Sequence, residues 1–293
     1  MKCIPKNYIN ILKMASIFTS FCLIIYFILP ALVNSSFWNI FRSNQVRIIG
    51  GRDAFKGEFP YQALIKAYRR NESFICGGSV ISEWHILTAA HCVADMDVME
   101  IKLGSTVISY QAGVPVFIIT PQDLLIHENY DSDFMKNDIA LIKLKYSLSF
   151  WSERIKPIRL PRLSLQIAPE TYDNDIATVT GWGKIHDRAK GAHNILQTAR
   201  VNIMPFWQCK YYMATMYYKL EDNQICTLYT GSAPCSGDSG GGLVIEEEDG
   251  IKTIIGIVSF GLSFCESGNP TVYTSVSAHL PWIEYHTGIK TRI

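Results

Sequence analysis

From Ile48 onward the chain is a succession of short runs rich in β-branched and aromatic residues, each closed by a turn: "YQALIKAY", "GGSVIS", "HILTAAH", "MEIKLG", "VPVFII", "IALIKL", "ATVTGWG", "GGLVI" and "TIIGIVSFG". Short strands at this spacing cannot bury their apolar faces singly, so they read as an all-β sandwich or barrel. Helical spacing is scarce. Its best instance is "AHLPWIEYH" (278–286), where Leu280, Trp282 and Ile283 supply an apolar face, and a short closing helix is expected there. No internal repeat, low-complexity tract or Gly/Ser/Pro linker divides the stretch, which implies one domain over residues 48–293.

With 293 residues, 48% of them hydrophobic and 18% charged, the chain can bury a substantial core. A formal net charge of +1 and the lack of a basic stripe with interleaved aromatics exclude an electrostatic case for nucleic acid. Function therefore has to lie in a local site.

The N-terminus is of another character. Lys2, Lys6 and Lys13 precede "MASIFTSFCLIIYFILPALV" (14–33), 20 residues without a charge. Its length suits a spanning helix, whereas Pro30 and the small polar "NSS" that follows resemble the end of a secretory signal. Residues 1–35 are thus a signal peptide or a signal anchor, and both deliver the remainder to an oxidising, extracytoplasmic space. Six cysteines lie downstream, at 76, 92, 209, 226, 235 and 265, an even number able to pair there. A zinc site would need thiol or imidazole ligands clustered in sequence, which these cysteines are not. Cys3 and Cys22 fall in the targeting segment. Sequons at Asn34 and Asn71 fit a glycoprotein of that compartment.

"PCSGDSGGGLV" (234–244) sets Ser239 among glycines behind Asp238. Gly, Ser and Asp are also what any tight turn uses. As letters, 237–241 satisfies the Gly-x-Ser-x-Gly elbow too, but that nucleophile is followed by its acid and histidine, and only 54 residues remain after Ser239, without alternating strands and helices. Upstream, "LTAAHC" supplies His91 and "NDIALIKL" supplies Asp138, giving the order His, Asp, Ser. The other histidines, 85, 127, 186, 193, 279 and 286, sit in no motif that requires an imidazole and read as structural or solvated.

"RIIGG" (47–51), "CGGSVIS" (76–82), "TAAHC" (88–92), "NDIAL" (137–141), "GWG" (181–183), "GDSGG" (237–241) and "SFG" (259–261) occur in one order. In that order the chain from Ile48 to about Tyr285 resembles a peptidase of the trypsin/chymotrypsin family, nearest in pocket character to its chymotrypsin-like or elastase-like members. The resemblance implies two antiparallel β-barrels with the active site in the cleft between them. It implies a serine endopeptidase working through an acyl-enzyme: Ser239 as nucleophile, His91 as its base, Asp138 orienting His91, and Ser259 helping to hold Asp138. The N–H groups of Gly237 and Ser239 would bind the oxyanion. It also implies three disulfides, Cys76 with Cys92, Cys209 with Cys226, and Cys235 with Cys265, while Ala177 and Ile245 stand together where many relatives carry another bridge.

By the same resemblance the chain is a zymogen. Residues 36–47, "SFWNIFRSNQVR", would be an activation propeptide cut after Arg47, and the new amino group of Ile48 would pair with Asp238. The propeptide holds no cysteine, so cleavage would release the domain even from an anchored precursor. Secretion is the expectation, with membrane anchoring by residues 14–33 until cleavage as the alternative. The substrate pocket would be formed by Ala233, Pro234, Ser259, Gly261 and Thr271. Ala233 stands where trypsin-like relatives carry an aspartate, so Leu, Met or an aromatic residue is expected before the scissile bond, with smaller side chains also admitted if Thr271 intrudes. Expected partners are protein or peptide substrates, a trypsin-like activating protease and protease inhibitors, acting on a monomer. No cofactor or metal is expected, since the loop after "KLGS" (102–105) lacks the acidic pair some relatives use for calcium. A protease-fold binding protein without turnover is the reading from another class, and the complete His91, Asp138 and Ser239 set argues against it.

Overall fold

The described residues of the computed structural model, 48–148, 152–163, 172–262 and 264–293, fold into two antiparallel sheets. The expectations placed on residues 1–47 lie outside the described residues: the targeting segment, the propeptide, the Asn34 sequon and Arg47. Among the described residues no helix is long and apolar enough to cross a membrane.

In chain order, β1 (Arg52–Asp53) precedes the first sheet, which contains β2 (Gln62–Arg69), β3 (Glu72–Val80), β4 (His85–Thr88), β5 (Val98–Leu103), β6 (Val116–Ile119), β7 (Leu124–Ile126) and β8 (Ala140–Lys143). The second sheet contains β9 (Ile176–Gly181), β10 (Gln197–Met204), β11 (Gln224–Leu228), β12 (Gly242–Glu246), β13 (Lys252–Gly261) and β14 (Thr271–Ser275). The alternation in "VMEIKL" puts Met99, Ile101 and Leu103 of β5 in the core and turns Glu100 outward. β8 and β13 lack that alternation because neighbours cover both their faces, and an unbroken apolar run is the result.

The expected all-β architecture is what forms, but the two halves close differently. The first sheet runs β6-β5-β2-β3-β4-β8-β7 and ends in two edges, a half-barrel. The second runs β9-β10-β11-β14-β13-β12 and returns to β9, a closed six-stranded barrel with β1 added to β10. One core cluster fills the first half and continues into Trp182, Val244, Ile254 and Ile257 of the second. Another lies inside the closed barrel around Ile48, Val179, Val201, Leu243 and Tyr273. Ala177 belongs to that second cluster and Ile245 packs against it, so two apolar side chains occupy the place of a bridge.

Among the described residues two helices flank the sheets. α1 (Phe206–Thr215) was not expected, since only Cys209 and Met213 of its ten residues are buried while Trp207 and Tyr211 face outward. The Cys209–Cys226 disulfide ties it to β11. α2 (Leu280–Thr287) is the expected closing helix, entered through a 3-10 turn at Ser277–His279. Pro281 lies in its first turn, where its missing N–H has no partner to lose, and Gly288 ends it at φ 71°, donating to Glu284 O at 2.8 Å. The other two expected disulfides, Cys76–Cys92 and Cys235–Cys265, are also present. Asn71 is exposed at the tip of the β2–β3 hairpin, accessible as a sequon must be.

Candidate active site

His91 occupies the single 3-10 turn Ala90–Cys92 that follows β4, and the Cys76–Cys92 disulfide fastens that turn to β3. Asp138 enters β8 from the loop before it and is 0% exposed. A carboxylate taken out of water must have its oxygens bonded, and here they are. Asp138 Oδ1 accepts from the His91 amide at 2.9 Å, and Oδ2 from His91 Nδ1 at 2.8 Å and from the Ser259 hydroxyl of β13 at 2.5 Å. The Asp138 carbonyl accepts from Thr274 Oγ1 of β14 at 2.9 Å. The first sheet thus supplies His91 and Asp138, and the second holds the carboxylate in place.

Ser239 sits in the turn before β12. Its carbonyl accepts from the Gly77 amide of β3 at 2.7 Å, and the flanking Gly240 amide donates to Val258 O at 2.8 Å, so the turn is pinned to both sheets. Cys76, next to Gly77, is bonded to the turn that carries His91. Ser239 Oγ and His91 Nε2 share no hydrogen bond in this structure; Nε2 lies 3.7 Å from Cys92 Sγ. Gly237, at φ 103°, has a backbone conformation that other residues rarely adopt. Neither its amide nor that of Ser239 donates to an acceptor among the described residues, which leaves two N–H groups beside the serine hydroxyl.

Asp238 points the other way, into the protein. It is 1% exposed, and its Oδ1 and Oδ2 accept from the amides of Gly183 at 2.7 Å and Cys235 at 2.8 Å. The "GWG" motif is explained by this packing: a Cβ on Gly181 would lie 2.0 Å from Asp238 Oδ1, and one on Gly183 2.4 Å from Oδ2. No cation among the described residues pairs with the carboxylate. Burial pushes it up to about 6 against the pull of the two amides. Ile48 is itself buried, and Ile49 bridges Ala233, whose amide donates to Ile49 O at 3.1 Å.

A cavity of about 160 Å³ opens beside Ser239. Pro234, Ser259, Gly261 and Thr271 line it, and Ala233 does not; it is 3% exposed and lies behind, in the bridge to Ile49. Among the described residues no charged side chain lines the cavity. Phe260 and Phe264 do, and of the two Phe264 is the one the sequence does not point to. Phe260 lies inside the quoted "SFG", and Phe264 directly precedes a bridged cysteine, which is the signal that could have found it. The sulfurs near His91 and near Asp187 are closed in disulfides and so offer no thiolate to a metal.

An imidazole held by Nδ1 on a buried carboxylate, a hydroxyl on the adjoining turn, two unpaired amides and a neutral cavity together can support acyl transfer. A family model described as Trypsin matches residues 48–283. The chain is 34% identical over 240 residues to chymotrypsin-2 of Vespa crabro, spanning 81% of this chain and 98% of that protein. It is 34% identical over 256 residues to a collagenase of Hypoderma lineatum, spanning 86% and 91% respectively. A solved structure of HL collagenase superposes with a TM-score of 0.70 at 34% identity, covering 83% of this chain and 99% of that one.

The Asp238 carboxyl makes stability depend on pH while the Arg47–Ile48 bond is intact. Its unfolded value of 3.8 rises to about 6 on folding, so the protonated carboxyl is the better-tolerated form. Its contribution to stability is full below pH 3.8, declines as pH rises through about 6, and is then gone, a loss of about 3 kcal/mol. Urea unfolding of the uncut chain from acid to neutral pH should show this decline, and Asp238→Asn should flatten it.

Proposed function

The chain belongs to the trypsin family of serine endopeptidases, and from that premise we propose that it is a secreted zymogen whose domain, residues 48–293, is freed by cleavage after Arg47. In this reading residues 1–35 target the chain for secretion and 36–47 are the propeptide. His91 Nε2 takes the proton of Ser239 Oγ as the oxygen attacks the substrate carbonyl. Asp138 keeps the other nitrogen protonated and steadies the cation that forms. The oxyanion is bound by the amides of Gly237 and Ser239. Collapse expels the amine with the proton from His91, and water hydrolyses the acyl-enzyme by the same steps in reverse order. The observation that carries the reading is the buried Asp138 carboxylate, bonded to both His91 and Ser259.

Activation rests on Asp238. A buried carboxylate without a counter-ion is unfavourable, and the ammonium released at Ile48 is a partner of the right charge whose segment already sits against Ala233. Substrate choice rests on the cavity. An Arg or Lys side chain would be buried there without an anion, whereas Leu, Met, Phe or Tyr would exchange water for apolar walls, with Thr271 limiting depth. The same lack of an anion means the enzyme does not cut its own Arg47 and depends on a trypsin-like activator. Its other partners are peptide and protein substrates and protease inhibitors, and it acts as an extracellular monomer.

Cleaved protein should be labelled by an organophosphonate at Ser239, and Ser239→Ala should abolish labelling and lower kcat/KM by roughly 10⁴- to 10⁶-fold with the fold retained. Arg47→Gln protein exposed to the activator should stay inactive; full activity without cleavage contradicts the zymogen reading. On a peptide library, residues with Leu, Met, Phe or Tyr before the scissile bond should exceed those with Arg or Lys by more than about 100-fold in kcat/KM. A preference for Arg contradicts the assignment of the cavity.

A further inference from the structure

The part of the cavity wall that carries Phe264, residues 264–269, is largely exposed, and the question is what fixes its orientation. Its neck is closed by Asn269, whose Nδ2 donates to Leu262 O at 3.1 Å and whose Oδ1 accepts from Tyr212 Oη of α1. Farther out, Cys265 is bonded to Cys235. One covalent tether sets a position but leaves the loop free to turn about it.

Asp187, from the segment after "GWG", removes that freedom. Its Oδ1 accepts from the Cys265 amide at 2.8 Å and its Oδ2 from the Glu266 amide at 3.2 Å. Glu266 replies, its Oε2 accepting from the Asp187 amide at 2.9 Å. The Asp187 carboxylate also lies within 4.8 Å of both sulfurs of the Cys235–Cys265 bridge. The three bonds join segments nearly eighty residues apart, and they hold the residue that follows Phe264, which lines the cavity mouth. The same segment is anchored at its start, where the Gly183 amide donates to Asp238 and the Lys184 amide to Ser236 O at 2.9 Å.

We propose that Asp187 is a positioning residue for the substrate pocket: by accepting the Cys265 and Glu266 amides it fixes the wall that carries Phe264, and so decides which side chains the pocket admits. The inference rests on the reading of the cavity as that pocket. An ionised carboxylate is suited to the task because it is an acceptor at both oxygens. An asparagine offers one carbonyl oxygen and turns an NH₂ against the second amide, a donor facing a donor. Asp187 shares no hydrogen bond or ion pair with His91, Asp138 or Ser239, so its loss should weaken substrate binding and selectivity and leave the chemistry intact.

The test is steady-state kinetics of cleaved wild type and Asp187→Asn on peptides with Phe or Leu before the scissile bond, alongside labelling by an organophosphonate fluoride with small substituents that do not fill the pocket. Asp187→Asn should raise KM about tenfold and draw the Phe-to-Leu ratio of kcat/KM toward one, while kcat and the labelling rate change less than about twofold. An unchanged KM and ratio overturns the proposal. So does a fall in kcat and labelling in step with kcat/KM, which would mean that the nucleophile turn itself had been distorted. Should Asp187→Asn fail to fold, Glu266→Ala reports on the same pair from the wall side, with the same shifts expected and the same results contradicting it. Wild type that resists labelling overturns the catalytic reading as well; normal wild-type labelling with Asp187→Asn kinetics unaltered overturns this inference alone.

Discussion

A carboxylate buried beside the reactive serine is the constraint on which the rest of this molecule depends. Asp238 cannot be accommodated without two backbone amides aimed at it and two glycines, Gly181 and Gly183, that leave room for its oxygens. Those requirements dictate the path of the chain through 181–183 and the shape of the turn 235–239. The amides soften the cost of burial without cancelling it, since the carboxyl still rises to about 6. In the activation proposed here, that residual cost is the driving force: a new cation delivered next to Asp238 relieves it.

The site is shared between two sheets that one continuous apolar cluster already joins. His91 and Asp138 come from the half-barrel, Ser239 and the cavity from the closed barrel, and a few bonds bind them together. Gly77 donates to Ser239 O, and Ser259 and Thr274 reach back to Asp138. Closing the second barrel pairs each of its six strands on both sides, so the loops that carry the nucleophile and the pocket walls project from a closed frame. Chemistry that tolerates errors of well under an ångström profits from such a frame.

Residues tied together by local motif were legible in the sequence. His91, Asp138, Ser239, Asp238 and Ser259 each stand in a short string whose letters limit what the backbone there can do, and α2 shows its apolar face openly. What escaped was set by contacts between distant segments. α1 has only two buried residues and no side-chain cap, so its period is too weak to see, and its place comes from the Cys209–Cys226 bridge and from packing on β11. Ala233 occupies the position in sequence where a pocket base was expected, yet the bridge to Ile49 draws it behind the wall. Phe264 and Asp187 acquire their roles only when loops nearly eighty residues apart meet, and no local pattern encodes that meeting.

The most direct test of the central claim is a ¹³C titration of the Asp238 carboxyl, performed on Ser239→Ala protein so that no proteolysis intervenes, before and after cutting at Arg47. The account requires a midpoint of about 6 in the uncut chain. After the cut, with the Ile48 ammonium beside it, the carboxyl should stay ionised from about pH 4 to pH 8. An unchanged midpoint after cleavage would contradict it.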